Sequence, residues 1–217
     1  MNYPISIVDN FYDNPDAVRE IALKQEFKQT TKGGFPGKRT KPIHEIDRNL
    51  FNFFNNKLLS LYYDIEVDKN LRWKVDTCFD MAYPFGKFNN EGWIHRDDYE
   101  SKLVGVLYLS KDCDTGTSFY DCKNNYLESD YDRDIRKQFY IDRKNKDLYL
   151  ERQSLHNSNF TKNVQVKGKY NRLVVYDSNY WHGFDDMSNI DERLIQVFHV
   201  IELSTDKTPL DRKYGDR

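Results

Sequence analysis

Trp73-Lys74-Val75-Asp76-Thr77-Cys78-Phe79-Asp80-Met81-Ala82-Tyr83 is the stretch that decides the fold class. Trp73, Val75, Thr77, Phe79, Met81 and Tyr83 share one parity, and Lys74, Asp76, Cys78, Asp80 and Ala82 the other. A period of two over eleven residues predicts a long strand, ending at Pro84-Phe85-Gly86. Downstream, Trp93-Ile94-His95 begins another strand, and Leu103 to Leu109 is a continuous apolar run, as expected of a strand covered on both faces. Gly116–Tyr120, Asn163–Val166, Arg172–Tyr176 and Arg193–Val200 read as further strands.

Upstream of about Leu71 the periodicity is helical. Asn14 can cap a helix that has Pro15 and Asp16 in its first turn. A second helix is predicted from about Asp47 to Tyr62, with Leu50, Phe54, Leu58 and Leu61 on its buried stripe. Lys28 to Pro42, rich in Gly, Pro and Lys, reads as a loop. Between residue 121 and about residue 160 the pattern breaks. About half of the positions up to Arg152 are charged, which predicts an exposed insertion with some helix and a solvated face. Two helices before seven or eight short strands predict a mainly β protein, a double-stranded β-helix (jelly roll, cupin-like) with N-terminal helices packed on the sheet. The expected organisation is a single domain over 1–217. Residues 1–70 form its helical support and 71–203 the jelly-roll core.

Composition narrows the setting. With 15% aromatic residues, 16 Tyr and 14 Phe among them, strands are favoured. A net charge of -2 gives no support to nucleic-acid binding. Cys78, Cys113 and Cys122 are an odd count without close pairs, which fits reduced thiols in a cytoplasm. No leader sequence and no apolar run of membrane-spanning length is seen.

His95 and Asp97 lie two apart at a strand end, so both side chains reach one face. His182 follows a later strand, and Arg193 opens the next, eleven residues on. Two imidazoles and a carboxylate suit an iron(II) site with open coordination positions; they would suit zinc as well. Asp98 competes with Asp97 for the ligand role, and the period of two favours Asp97. Arg193 supplies a permanent charge shaped for a carboxylate, unless it pairs with Asp191 or Glu192. His199 reads as a face or core histidine, and His44 and His156 as solvent-exposed. Trp93 and Trp181 either line a pocket or seal the core beneath the metal.

With these residues in place, the chain resembles the 2-oxoglutarate- and iron(II)-dependent dioxygenase superfamily. The likeness is to its prolyl-hydroxylase-like branch and to small uncharacterised bacterial and phage relatives. It rests on His95-Arg96-Asp97, Gly105–Ser110, Gly116–Tyr120, Asn171–Tyr176, His182, Arg193 and the loop Phe35-Pro36-Gly37-Lys38-Arg39-Thr40. The resemblance implies Fe(II) held by His95, Asp97 and His182, which are then also the catalytic centre. It implies 2-oxoglutarate and O2 as co-substrates, with the distal carboxylate on Arg193 and a hydrogen bond from Tyr83. Arg39 and Trp93 would stand at the substrate rim. The implied reaction is hydroxylation of an unidentified small molecule or peptide, with release of succinate and CO2, in the cytoplasm (a host's, if phage-encoded). One position departs from the family pattern: Ile195 stands where many relatives have Ser or Thr, so Tyr83 or another hydroxyl would have to compensate. The alternative is a non-catalytic, metal-binding cupin-like or interaction module.

Overall fold

A computed structural model describes residues 3–29, 35–84, 91–97, 101–112, 114–188 and 190–210. In chain order the elements are β1 (Ser6–Val8), α1 (Pro15–Leu23), β2 (Lys28–Gln29), β3 (Lys38–Pro42), α2 (Ile43–Ile46), α3 (Arg48–Leu59), β4 (Arg72–Ala82), β5 (Leu103–Tyr108), β6 (Thr117–Cys122), α4 (Asp130–Asp142), α5 (Lys146–Asn157), β7 (Phe160–Val166), β8 (Leu173–Asp177), β9 (Trp181–Phe184) and β10 (Arg193–Ser204). The strands form two antiparallel sheets. The larger is ordered β1-β8-β5-β10-β4-β3-β2 and the smaller β7-β6-β9. The chain is mainly β, with the architecture of a jelly roll.

The period of two in β4 does what it predicts. Val75, Phe79 and Met81 join Leu194, Phe198 and Val200 of β10 on one face of the large sheet. That face is covered by Val18 and Ala22 of α1 and by Phe54, Leu58 and Leu59 of α3. Both helices start where their capping residues stand: Asn14 accepts from the Ala17 amide, and Asp47 from those of Asn49 and Leu50. The opposite face of the large sheet packs on the small one through Val104, Val106, Tyr108, Val174 and Ile195 against Phe119 and Val166. β5 is buried along its whole length because it lies between these two cores.

Two expectations need correction. Lys28–Pro42 is not simply a loop, because β3 pairs with β4 (Arg39 opposite Asp80, Lys38 opposite Met81) and β2 with β3. Residues 30–34, including Gly33 and Gly34, lie outside the described residues. The charged insertion is not merely a solvated face either. α4 and α5 bury Ile135, Phe139, Tyr140 and Tyr149 in a third cluster around Trp93. No helix among the described residues is long and apolar enough to cross a membrane.

Candidate metal centre

His95 and His182 are brought together by backbone. They form an antiparallel bridge in which each amide donates to the other's carbonyl, both at 2.9 Å. Residues directly opposite in such a pair carry side chains on one face, and the two imidazole centroids lie 4.5 Å apart. Each ring is then turned the same way. The Nδ1 of His95 bonds the Trp93 carbonyl at 2.8 Å, and the Nδ1 of His182 that of Tyr180 at 2.9 Å. A carbonyl only accepts, so Nδ1 carries the proton and each Nε2 presents its lone pair. Asp97 closes the set, with Oδ2 3.3 Å from His182 Nε2 and Oδ1 4.0 Å from His95 Nε2. The three ligand atoms lie within 4.8 Å of one another.

Electrostatics favours the ligating forms. Burial, then the neighbouring His182, pushes His95 down to about 3, so its ring is neutral at physiological pH. Burial would raise Asp97, but His182 and His95 outweigh it and hold the carboxyl below its ordinary range. Two imidazoles and one carboxylate, clustered on one side and open on the other, are a donor set into which a divalent iron fits.

The open side faces a cavity that takes its lining from both sheets. Along β10 the alternate residues Arg193, Ile195, Val197 and His199 line it, while Leu194, Phe198 and Val200 face the helices. Arg193 is only 3% exposed, and among the described residues it makes no ion pair, with Asp191, Glu192 or any other carboxylate. Its Nε reaches the Thr115 carbonyl at a long 3.5 Å, and its guanidinium lies 5.3 Å from the centre of the Tyr108 ring. Tyr108 and Thr117 hydroxyls meet beside it at 2.8 Å.

Across the sheet, Arg39 lines the other side of the same cavity with Phe35, Pro36 and Asp80. Its Nε and one Nη each hold Asp80 Oδ2 at 3.1 Å, and Cys78 Sγ approaches Oδ1 at 3.3 Å. α4 adds Arg136 and Tyr140 to the wall. α5 does something different, saturating the backbone that leads into His95. Gln153 donates to the Glu91 carbonyl (2.7 Å), Asn157 to that of Gly92 (3.1 Å), and His156 Nε2 bonds that of Ile94 (2.6 Å). Asn157 Oδ1 in turn accepts from the Ile94 amide at 3.2 Å.

The model of a family described as a family of unknown function (DUF6445) matches residues 1–187. The chain belongs to the DUF6445 family. No curated protein matches it in sequence. Among solved structures it is similar to HygX from Streptomyces hygroscopicus with nickel and 2-oxoglutarate bound (TM-score 0.57, 10% identity, 90% of this chain and 82% of that one). It is also similar to a prolyl hydroxylase from Trichoplax adhaerens in complex with a peptide of the hypoxia inducible factor oxygen degradation domain (TM-score 0.52, 10% identity, 90% and 82%). A third is an oxidoreductase of the 2OG-Fe(II) oxygenase family from Burkholderia pseudomallei (TM-score 0.51, 9% identity, 94% and 87%). This DUF6445 member therefore has the fold of the 2-oxoglutarate/Fe(II) oxygenases.

The structure thus gathers His95, Asp97, His182, Arg193 and Arg39 around one cavity, but not Tyr83 or Trp93. Tyr83 shares the parity of Phe79 and Met81, which face the helices, and is 41% exposed outside the cavity lining. Trp93 is 1% exposed and turned toward α4 and α5, stacked on His156 at 4.7 Å. His156 itself is buried rather than solvent-exposed. Asp98, the competing ligand, and Cys113 lie outside the described residues. Sequence reasoning missed Asp80, Arg136, Tyr140 and Phe184 as lining residues; for Asp80 a signal existed, since it lies on the β4 parity opposite the helix-facing core. Because α5 holds the His95 segment, Asn157→Ala is expected to lower Ni(II) affinity by about 10-fold, the lower end for lost outer-shell support. Calorimetric titration below the variant's melting temperature checks this, and an unchanged affinity would limit α5 to a packing role.

Proposed function

We propose that this chain is an Fe(II)- and 2-oxoglutarate-dependent dioxygenase that hydroxylates a small-molecule or peptide substrate, releasing succinate and CO2. The observation that carries the reading is Arg193. A buried guanidinium without a carboxylate partner is costly unless an anion joins it, and this one opens on the cavity shared by His95, Asp97 and His182. A keto acid that chelates a metal through one end and carries a carboxylate at the other satisfies both features. The bound iron would supply dioxygen activation coupled to oxidation of the keto acid. The chain's own contribution is positioning. The Trp93 and Tyr180 carbonyls fix the two imidazoles, Asp97 completes the face, and Arg193 with the Tyr108–Thr117 hydroxyls orients the distal carboxylate. Thr117 lines the cavity beside Ile195, so a hydroxyl is available where the strand itself offers none. Solved neighbours support either substrate class: HygX is described with hygromycin B bound, and the Trichoplax adhaerens enzyme with a peptide. A cytoplasmic setting belongs to the proposal and is supported by Cys78 and Cys122, both free thiols.

The test is an anaerobic titration of the protein with Fe(II) and 2-oxoglutarate, observed through the visible charge-transfer band of the chelate. A band requiring both components supports the reading. Metal uptake without a band would favour a zinc-binding, cupin-like module. Arg193→Ala is expected to weaken 2-oxoglutarate binding by ~10–100-fold, the worth of a charge-assisted pair. Ni(II) affinity measured alone should stay within about twofold, because Arg193 is not a ligand. Equal losses of metal and co-substrate would remove that role from Arg193.

A further inference from the structure

Once the metal ligands and Arg193 are assigned, the cavity retains a second set of polar groups. Asp80 lies opposite Ile195 on one side and opposite Arg39 on the other. By strand spacing this places Arg39 on the order of 12 Å from Arg193. On this far side the carboxylate is already taken. Asp80 is fully buried, and both its oxygens are engaged, by Arg39 and by Cys78. Among the described residues Arg39 keeps one Nη uncommitted, and its side chain is 35% exposed.

Arg136 reaches the cavity from α4 with a side chain only 13% exposed. Its one ion pair, to Glu128, is a long 3.5 Å, and Glu128 is shared with Arg133 at 3.6 Å. Among the described residues the Nε of Arg136 is buried with no partner. A buried guanidinium N–H without an acceptor is an unsatisfied charged donor, and such groups are rare unless a ligand completes them. The lining shared with the two arginines includes the apolar Phe35, Pro36 and Val197. The wall is also tied together across the chain: Gln29 donates to the Tyr140 carbonyl at 3.1 Å and Arg143 to that of Pro36.

We infer that the substrate carries an oxyanion, a carboxylate or a phosphate monoester, on an apolar body, and that Arg136, with Arg39 beside it, binds that group across the cavity from Arg193. The inference rests on the dioxygenase reading for its allocation of Arg193 to the co-substrate. Among the described residues the carboxylate lining this side is Asp80, whose oxygens are engaged, so a cationic substrate finds no acceptor there, and a neutral apolar one would leave the Arg136 donor unmet.

The experiment loads the protein with Ni(II) and 2-oxoglutarate, so that the metal and Arg193 are occupied, and titrates benzoate, phenyl phosphate and benzamide by calorimetry. Benzoate or phenyl phosphate is expected to bind and benzamide not, the tighter oxyanion identifying the source. Arg136→Gln should weaken that binding by at least ~10-fold, and Arg136→Lys by less, because charge survives while the Nε donor is lost. The benzamide comparison on the unaltered protein needs no variant to fold. Benzamide binding as tightly as benzoate, no binding of either oxyanion, or an unchanged affinity in a folded Arg136→Gln variant would each overturn the inference. If the protein fails to take up Ni(II) and 2-oxoglutarate, the dioxygenase reading falls by itself. The same titrations on unloaded Arg193→Gln protein then decide the oxyanion site independently, by the same pattern.

Discussion

Replacing His182 by alanine is expected to abolish iron binding and reduce turnover to background while leaving the protein folded. The imidazole is one of the three proposed ligands, and its Nε2 lies nearest the carboxylate, 3.3 Å from Asp97 Oδ2. Loss of an outer-shell partner alone costs ~10–100-fold in metal affinity, and removing a ligand itself must exceed that. The fold is spared because the bridge to His95 uses backbone atoms only, with both bonds at 2.9 Å. What the side chain contributes to packing is contact with the His95 ring at 4.5 Å, the Tyr176 ring at 4.7 Å and, more distantly, Phe119 at 6.5 Å. The variant therefore incurs a modest cavity cost. Fe(II) titration and a thermal melt on the same preparation separate the two effects. A folded variant that binds iron like the parent protein would end the three-ligand assignment. One that loses iron only because it has unfolded would leave the ligand question to Asp97→Asn, which conserves volume.

How far this site was legible in the sequence depends on what signal each residue left. His95 and Asp97 stand two apart at a strand end, and a period of two puts both on one face whatever surrounds them. Arg193, Ile195, Val197 and His199 follow the same rule, so the cavity face of β10 could be read off directly. Tyr83 obeys the rule too, against the role the resemblance gives it: the parity that makes Phe79 and Met81 core residues carries Tyr83 to the helix side as well. β3 was invisible for a different reason. Lys38-Arg39-Thr40-Lys41-Pro42 buries only Thr40, so a segment with one buried residue shows no alternation, although its pairing with β4 is what brings Arg39 to Asp80. The insertion hid its function behind its charge. α4 buries Ile135, Phe139 and Tyr140 within a run of Asp, Arg and Lys, too narrow an apolar stripe to declare packing. The bonds of α5 to residues 91–94 come from Gln153, His156 and Asn157, side chains whose partners are backbone atoms some 60 residues away. No local pattern encodes such contacts.

Arg39→Ala is expected to be the most destabilising change in the cavity wall, with a characteristic pH dependence. Asp80 is wholly buried, and Arg39 supplies both charged hydrogen bonds to its Oδ2. Removing one member of a buried pair leaves an uncompensated charge, which costs ~3–5 kcal/mol. The lower end applies here because Arg39 is itself about a third exposed and partly screened. The pH dependence follows from Asp80. Burial already holds its carboxyl above the ordinary value even with Arg39 opposing the shift, and without Arg39 it rises further. A carboxyl with a raised folded-state pKa binds its proton more tightly folded than unfolded, so stability falls as pH increases through the interval between the two values. The variant should therefore recover part of its deficit as pH is lowered from neutrality toward the ordinary carboxylate range near 4. Denaturant unfolding of parent and variant over that range measures it. Asp80→Asn in the Arg39→Ala background should abolish the recovery, because the titrating group is gone. A deficit independent of pH, or one that grows on acidification, would show that Arg39 acts through packing on Phe35, whose ring centre lies 5.0 Å from its guanidinium, and not through the Asp80 charge.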